Sequence, residues 1–134
     1  MDLKVNVLSV LAAIGTGFTY LIGGWDMVIQ WLLIFMAFDI FTGVLAAVTR
    51  KEVSSDIYLN GMTKKIGVLI MIMVANGIDV VVGLEEPVVR TAVTWGALGY
   101  EGISVLENIV LLGVPIPSVL RNALEALREK GEPV

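Results

Sequence analysis

Residues 27–48 read MVIQWLLIFMAFDIFTGVLAAV, an unbroken apolar run with one ionisable side chain, Asp39, at its middle. A helix of about 20 apolar residues crosses the ~30 Å hydrocarbon core of a bilayer, so this run is long enough to span one. A carboxyl group at that depth is costly unless it is neutral, paired or facing water, and Asp39 therefore marks a functional or assembly site. Trp25 and Trp31 lie toward the first end of the run, where indole rings favour the headgroup level.

Outward from this segment the pattern repeats. Apolar runs at about 5–22, 65–84 and 88–112 flank it, with Asn6, Ser9, Gly15, Thr16, Gly17 and Thr19 making the first run the least apolar. That first run is read as a span and not as a cleaved signal peptide, because its start is not clearly basic and no A-x-A site follows. In Val114-Pro115-Ile116-Pro117 the two prolines each remove a backbone donor and restrict the preceding residue, which predicts a helix break. Ser118 can then cap a short helix with Leu120, Ala123, Leu124 and Leu127 on one face and Arg121, Glu125, Arg128 and Glu129 elsewhere. The expected fold is an all-α integral membrane bundle of about four transmembrane helices with a short cytoplasmic amphipathic C-terminal helix within 115–134. It forms one membrane domain, 1–134. Composition agrees: the mean hydropathy is +0.87, and with 57% hydrophobic and 16% charged residues in 134 the chain is more apolar than one soluble core requires.

Orientation follows Lys and Arg, hardly Asp and Glu, so the net charge of −4 matters less than where the cations stand. Lys4 precedes the first run. Arg50, Lys51, Lys64 and Lys65 fill the central connection as a topology-setting basic loop, and Arg121, Arg128 and Lys130 follow the last run. The other two connections, Gly23-Gly24-Trp25-Asp26 and Glu85-Glu86-Pro87, lack Lys and Arg. Both termini and the central loop are thus expected on the cytoplasmic side. In that loop Ser54-Ser55-Asp56 reads as turn or helix-start residues and Asn60-Gly61 as a turn.

Depth arithmetic at 1.5 Å per residue places three polar groups near the midplane: Asp39 roughly 20 Å in from Asp26, Asn76 roughly 16 Å from Lys65, and Glu101 roughly 16 Å from Arg90. Glu101, Ser104 and Asn108 share a face by i, i+3, i+7 spacing, while Glu107 points elsewhere. Asp39, Thr42, Gly43, Asn76, Glu101, Ser104 and Asn108 form the candidate pore or oligomer face. Asp79 and Arg90, brought together by the short acidic loop, form a candidate ion pair. The same polar groups can instead serve as interhelical glue within one protomer. Gly96, Gly99 and Gly102 support close helix association without naming the partner.

With no Cys and no His, thiol nucleophiles, disulfides and the usual zinc sites are excluded. The scattered carboxylates form no convergent catalytic set, so no enzyme activity, cofactor or metal is expected, and no nucleic-acid partner. A handful of helices encloses little lumen, so a wetted polar face implies that the chain associates with itself in the lipid bilayer. The alternative is a small ion channel, an ion-coupled transporter or an accessory membrane subunit.

Several segments resemble one family. Asp39-Ile40-Phe41-Thr42-Gly43 within an apolar helix, the basic loop with Ser54-Ser55, Gly61 and Lys64-Lys65, and Asp79 ending the third run are similar to the small phage lysis holins. This group is also described as toxin-secretion holins, found with Gram-positive phages and clostridial toxin loci. The specific part is Glu101-Gly102-Ile103-Ser104-Val105-Leu106-Glu107-Asn108 followed by Gly113-Val114-Pro115-Ile116-Pro117, and the likeness spans about Trp31 to Leu127. The resemblance implies a multi-pass protein of the bacterial cytoplasmic membrane that oligomerises and permeabilises it at a set time. An endolysin or toxin then reaches the wall without necessary direct contact.

Overall fold

The computed structural model describes residues 3–131 and is all-helical there. Five helices follow in order: α1 (Leu3–Leu21), α2 (Met27–Arg50), α3 (Ser55–Val82), α4 (Val88–Leu111) and α5 (Ser118–Gly131). Two of them, α2 and α3, are long and apolar enough to cross a membrane, and 6–21 is a shorter apolar helix.

Local chemistry sets the boundaries. Asp26 caps α2 by accepting the Ile29 amide at 3.0 Å, satisfying one of the orphan donors of the first turn. At the other end Lys51 takes a left-handed conformation, φ 58°, and its amide bonds Val48 O at 3.2 Å. Pro87 brings no side-chain cap to α4. Asp79 of α3 does that work, accepting the Val89 and Arg90 amides at 3.0 and 2.7 Å. An anion at a helix N-terminus is favoured by the helix dipole as well as by these bonds.

Helices α2, α3 and α4 form the centre, with Ile22, Ile29, Leu32, Met36, Ile72, Ala97 and Leu98 packed into one core. Outside that core the surface divides sharply. Ile34, Phe38, Phe41, Leu45 and Val48 of α2 and Ile66, Ile70, Val74, Ile78 and Val81 of α3 are exposed apolar stripes at helical spacing. By contrast, exposed Arg121, Asn122, Glu129 and Lys130 and half-buried Glu125 make α5 a charged surface.

Two elements differ from the expectation. Helix α3 begins at Ser55, ten residues before Lys65, and runs through Asn60-Gly61 without a turn. Lys64 and Lys65 are therefore helical and not part of a loop; the loop is only 51–54, with Arg50 closing α2. Gly61 and Tyr58 line a cleft beside α2 and α4, and the helix-weakening tendency of Asn and Gly, about 1 kcal/mol per residue, is too small to end a helix of this length.

The second difference is α5. The break at Pro115 and Pro117 falls between α4 and α5, but the helix beyond it folds back along α4. Gly99 makes this approach feasible: a Cβ there would meet Leu124 O at 2.8 Å and the Arg128 Cα at 3.0 Å. Gly102 likewise admits Leu124, and Gly96 admits Gly131. The buried face of α5 is accordingly Leu124, Leu127, Arg128 and Gly131, whereas Leu120 and Ala123 are exposed.

Candidate functional site

Halfway along α2, α3 and α4 the polar side chains converge. Lys65 donates to Asp39 Oδ2 at 2.7 Å and to Glu101 Oε2, and the three side chains are only 12%, 17% and 12% exposed for Lys65, Asp39 and Glu101. The second oxygen of Asp39 accepts Ser104 Oγ at 2.6 Å and Asn108 Nδ2 at 2.9 Å. Asn108 also donates to Thr42 Oγ1 at 3.1 Å and to the Asp39 carbonyl at 3.2 Å. Thr42 closes the chain by donating back to Phe38 O at 2.7 Å. Gly43 leaves room for this arrangement, since Asn108 Nδ2 lies 3.4 Å from where its Cβ would stand.

Five of these side chains, and the glycine that makes room for them, come from two sequence patterns. The i, i+3, i+7 face of α4 supplies Glu101, Ser104 and Asn108; the Asp39-x-x-Thr42-Gly43 turn of α2 meets it. Lys65 was missed as a site residue because it was assigned to the basic loop. A signal existed: two carboxylates at one depth in apolar surroundings demand a cation, and the third run had one at its start.

The network is reached from two sides. One cleft, about 320 Å³, runs from Asp39 and Lys65 past Gly43, Tyr58 and Gly61 to Arg50 and Glu52. The other, about 700 Å³, is lined by Lys64, Lys65, Tyr100, Glu101, Glu107 and Arg128. Arg128 Nε and Tyr58 Oη, on the walls of these clefts, are buried without a hydrogen-bond partner among the described residues.

A second cluster gathers where α1 ends and α4 begins. Arg90 is 5% exposed. Its guanidinium donates to Ile22 O at 2.6 Å, Gly24 O at 3.2 Å and Asp26 Oδ2 at 2.6 Å. Asp79 and Arg90 are thus brought together through the Arg90 backbone amide, while the ion pair of the Arg90 side chain is with Asp26. The α4 amides compete for the Asp79 carboxylate, which leaves the guanidinium to the carbonyls and to Asp26. Asn76 joins this cluster and not the Asp39 network, donating to Leu21 O at 3.1 Å. Gly23, φ 82°, is obligatory here, because a Cβ would collide with Asn76 Oδ1 and lie 2.7 Å from Arg90 Nε. Of the remaining cations, Arg50 pairs with Glu52 at 3.3 Å on the exposed surface, a contact worth little.

A helical bundle with apolar outer faces on α2 and α3, and an ion-paired network buried halfway along its helices, defines a small membrane protein of polar interior. The chain belongs to the bacteriophage holin family, whose model matches residues 16–129. It is 43% identical to an uncharacterised protein of Clostridium perfringens (strain 13 / Type A), over 87% of each chain. A second uncharacterised Clostridium perfringens protein, of 14.9 kDa, is 39% identical over 90% of this chain and 91% of its own. A protein of Bacillus phage phi105 described as a probable holin is 31% identical over 75% of this chain and 74% of its own. No solved structure matches the chain.

Proposed function

We propose that the chain is a holin that assembles with copies of itself in the bacterial cytoplasmic membrane and, at a set time, opens it so that an endolysin reaches the wall. Family membership and the phage relative described as a probable holin support this reading. The observation that carries it is Lys65 held between Asp39 and Glu101, halfway along helices whose outer faces are apolar and beside two clefts. Such a buried ionic set is inexpensive only while its partners stay in register, so it suits a protein that holds one closed state and then leaves it.

In this proposal α1 to α4 cross the membrane, with the basic end near Arg50 and Lys51 on the cytoplasmic side. Asp39, Thr42, Gly43, Glu101, Ser104 and Asn108 form the side that is wetted or faces a neighbouring subunit after opening. Asn76 belongs to the attachment of α1. Permeabilisation of this kind needs no catalysis.

The test is expression from a controlled promoter in bacteria beside a cytoplasmic endolysin, following turbidity and release of a cytoplasmic marker protein. Abrupt lysis that requires both genes is expected, with Asp39→Leu and Glu101→Leu shifting its onset while membrane insertion persists. Growth arrest with steady low conductance and no marker release would instead make the chain a selective channel and overturn the proposal.

A further inference from the structure

The position of α5 poses a physical problem in a membrane. It lies antiparallel against α4, with Leu124 at Gly102, Arg128 at Gly99 and Gly131 at Gly96. Lys130 reaches the ring of Trp95, 5.7 Å from its centroid, and shares a cleft with Glu86 and Thr91. The helix therefore follows α4 for most of its length, from the proline break almost back to the Arg90 end. If α4 crosses the bilayer, Arg121, Glu125, Glu129 and Lys130 stand at hydrocarbon depth, where lipid contact is strongly disfavoured.

Water must then cover that side. The exposed stripes of α2 and α3, from Ile34 to Val48 and from Ile66 to Val81, are apolar and suit lipid. The larger cleft, which leads to Lys65 and Glu101, opens beside α5 and has Arg128 on its wall. Arg128 Nε, buried there without a partner among the described residues, is a donor that water in the cleft would satisfy. One protomer cannot enclose a lumen, so the enclosing walls come from further copies of the same chain.

We propose that the α4–α5 hairpin is the aqueous wall of the assembly: copies of the chain meet with Arg121, Asn122, Glu125 and Glu129 around a common lumen, while α2 and α3 face lipid. The proposal rests on the pore-forming function above and assigns its lining element. Helix α5 supplies the charges that a permeating ion meets first, and the cleft connects that water to the Asp39–Lys65–Glu101 network.

The chain has no cysteine, so each introduced thiol is a unique probe. The full-length protein is reconstituted in planar bilayers as Glu125→Cys, Glu129→Cys and, for the lipid side, Phe38→Cys and Phe41→Cys. A membrane-impermeant methanethiosulfonate is then added. The expected result is a conductance drop of about threefold or more at 125 and 129 and none at 38 and 41, with Glu125→Lys and Glu129→Lys shifting selectivity toward anions, as rings of lining charge do. Unchanged conductance and selectivity in all α5 variants would overturn the assignment while leaving a pore in place.

If the unmodified protein conducts nothing, the pore-forming function itself fails, and with it the lining role. A second measurement addresses the hairpin alone, with spin labels at Thr91 and Glu129 in proteoliposomes. A separation below about 20 Å together with collision by a water-soluble nickel relaxant supports the wetted hairpin. A separation above about 40 Å, as for a 14-residue helix swung beyond the far end of α4, overturns it.

Discussion

The two polar clusters of this bundle use the same chemistry to opposite ends. At the α1/α4 end, Arg90 is held mainly by backbone, the carbonyls of Ile22 and Gly24, with Asp26 as its ionic partner among the described residues. At mid-helix, Lys65 is surrounded by side chains alone, two carboxylates held in turn by Ser104 and Asn108. Backbone carbonyls move only if the helix end moves, so the Arg90 cluster fixes architecture. Side chains can change partner by rotamer or by taking a proton, so the Lys65 cluster can rearrange inside an intact bundle.

Breaking the first cluster is expected to have the largest effect. Arg90→Leu strands two carbonyls and one carboxylate, and should cost about 3 kcal/mol of stability, read as a lower unfolding midpoint in detergent, with α1 becoming protease-sensitive first. Lys65→Met should cost less, about 2 kcal/mol, because a proton on one of the two facing carboxylates replaces part of what the ammonium did. Its main signature is an altered onset of permeabilisation at normal membrane levels, restored toward the parent by adding Asp39→Asn and Glu101→Gln. If Arg90→Leu shifted onset and left stability unchanged, the division of labour between the clusters would be refuted. The smallest effect sharpens the picture within the second cluster: Ser104→Ala should cost about 0.6 kcal/mol, measured in the same unfolding assay, since Asn108 still serves the same Asp39 oxygen.

What was legible in the sequence follows the same division. Periodicity is a property of one helix, so the α2 run and the Glu101, Ser104 and Asn108 face could be read directly. Depth arithmetic set Asp39 level with Glu101, but it set Asn76 there too, and Asn76 lies instead against the end of α1. Lys65 escaped because Asn60-Gly61 reads as a turn locally, while α3 in fact begins at Ser55 and continues through it, the propensity cost of two weak helix formers being small against the whole helix. The expected Asp79–Arg90 ion pair does not form: the otherwise uncapped start of α4 behind Pro87 takes the Asp79 carboxylate through the Arg90 amide, and the guanidinium pairs with Asp26. The spacing of Gly96, Gly99 and Gly102 announced a close helix neighbour; only the fold could name α5.

The attachment of α1 sets an order of events during synthesis. This helix meets only α3 among the described helices. The side chains that hold its final carbonyls, Asn76 and Arg90, follow those carbonyls by 55 and 68 residues. At about 5–20 residues per second, ribosomes need roughly 3–14 s to supply the arginine. Throughout that interval the first helix of a nascent chain is untethered, and a neighbouring chain at the same stage offers it an equivalent berth. Crowded synthesis is therefore expected to favour exchange of first helices between chains, and sparse synthesis self-closure, so the rate of translation would be written into how many chains carry a neighbour's first helix.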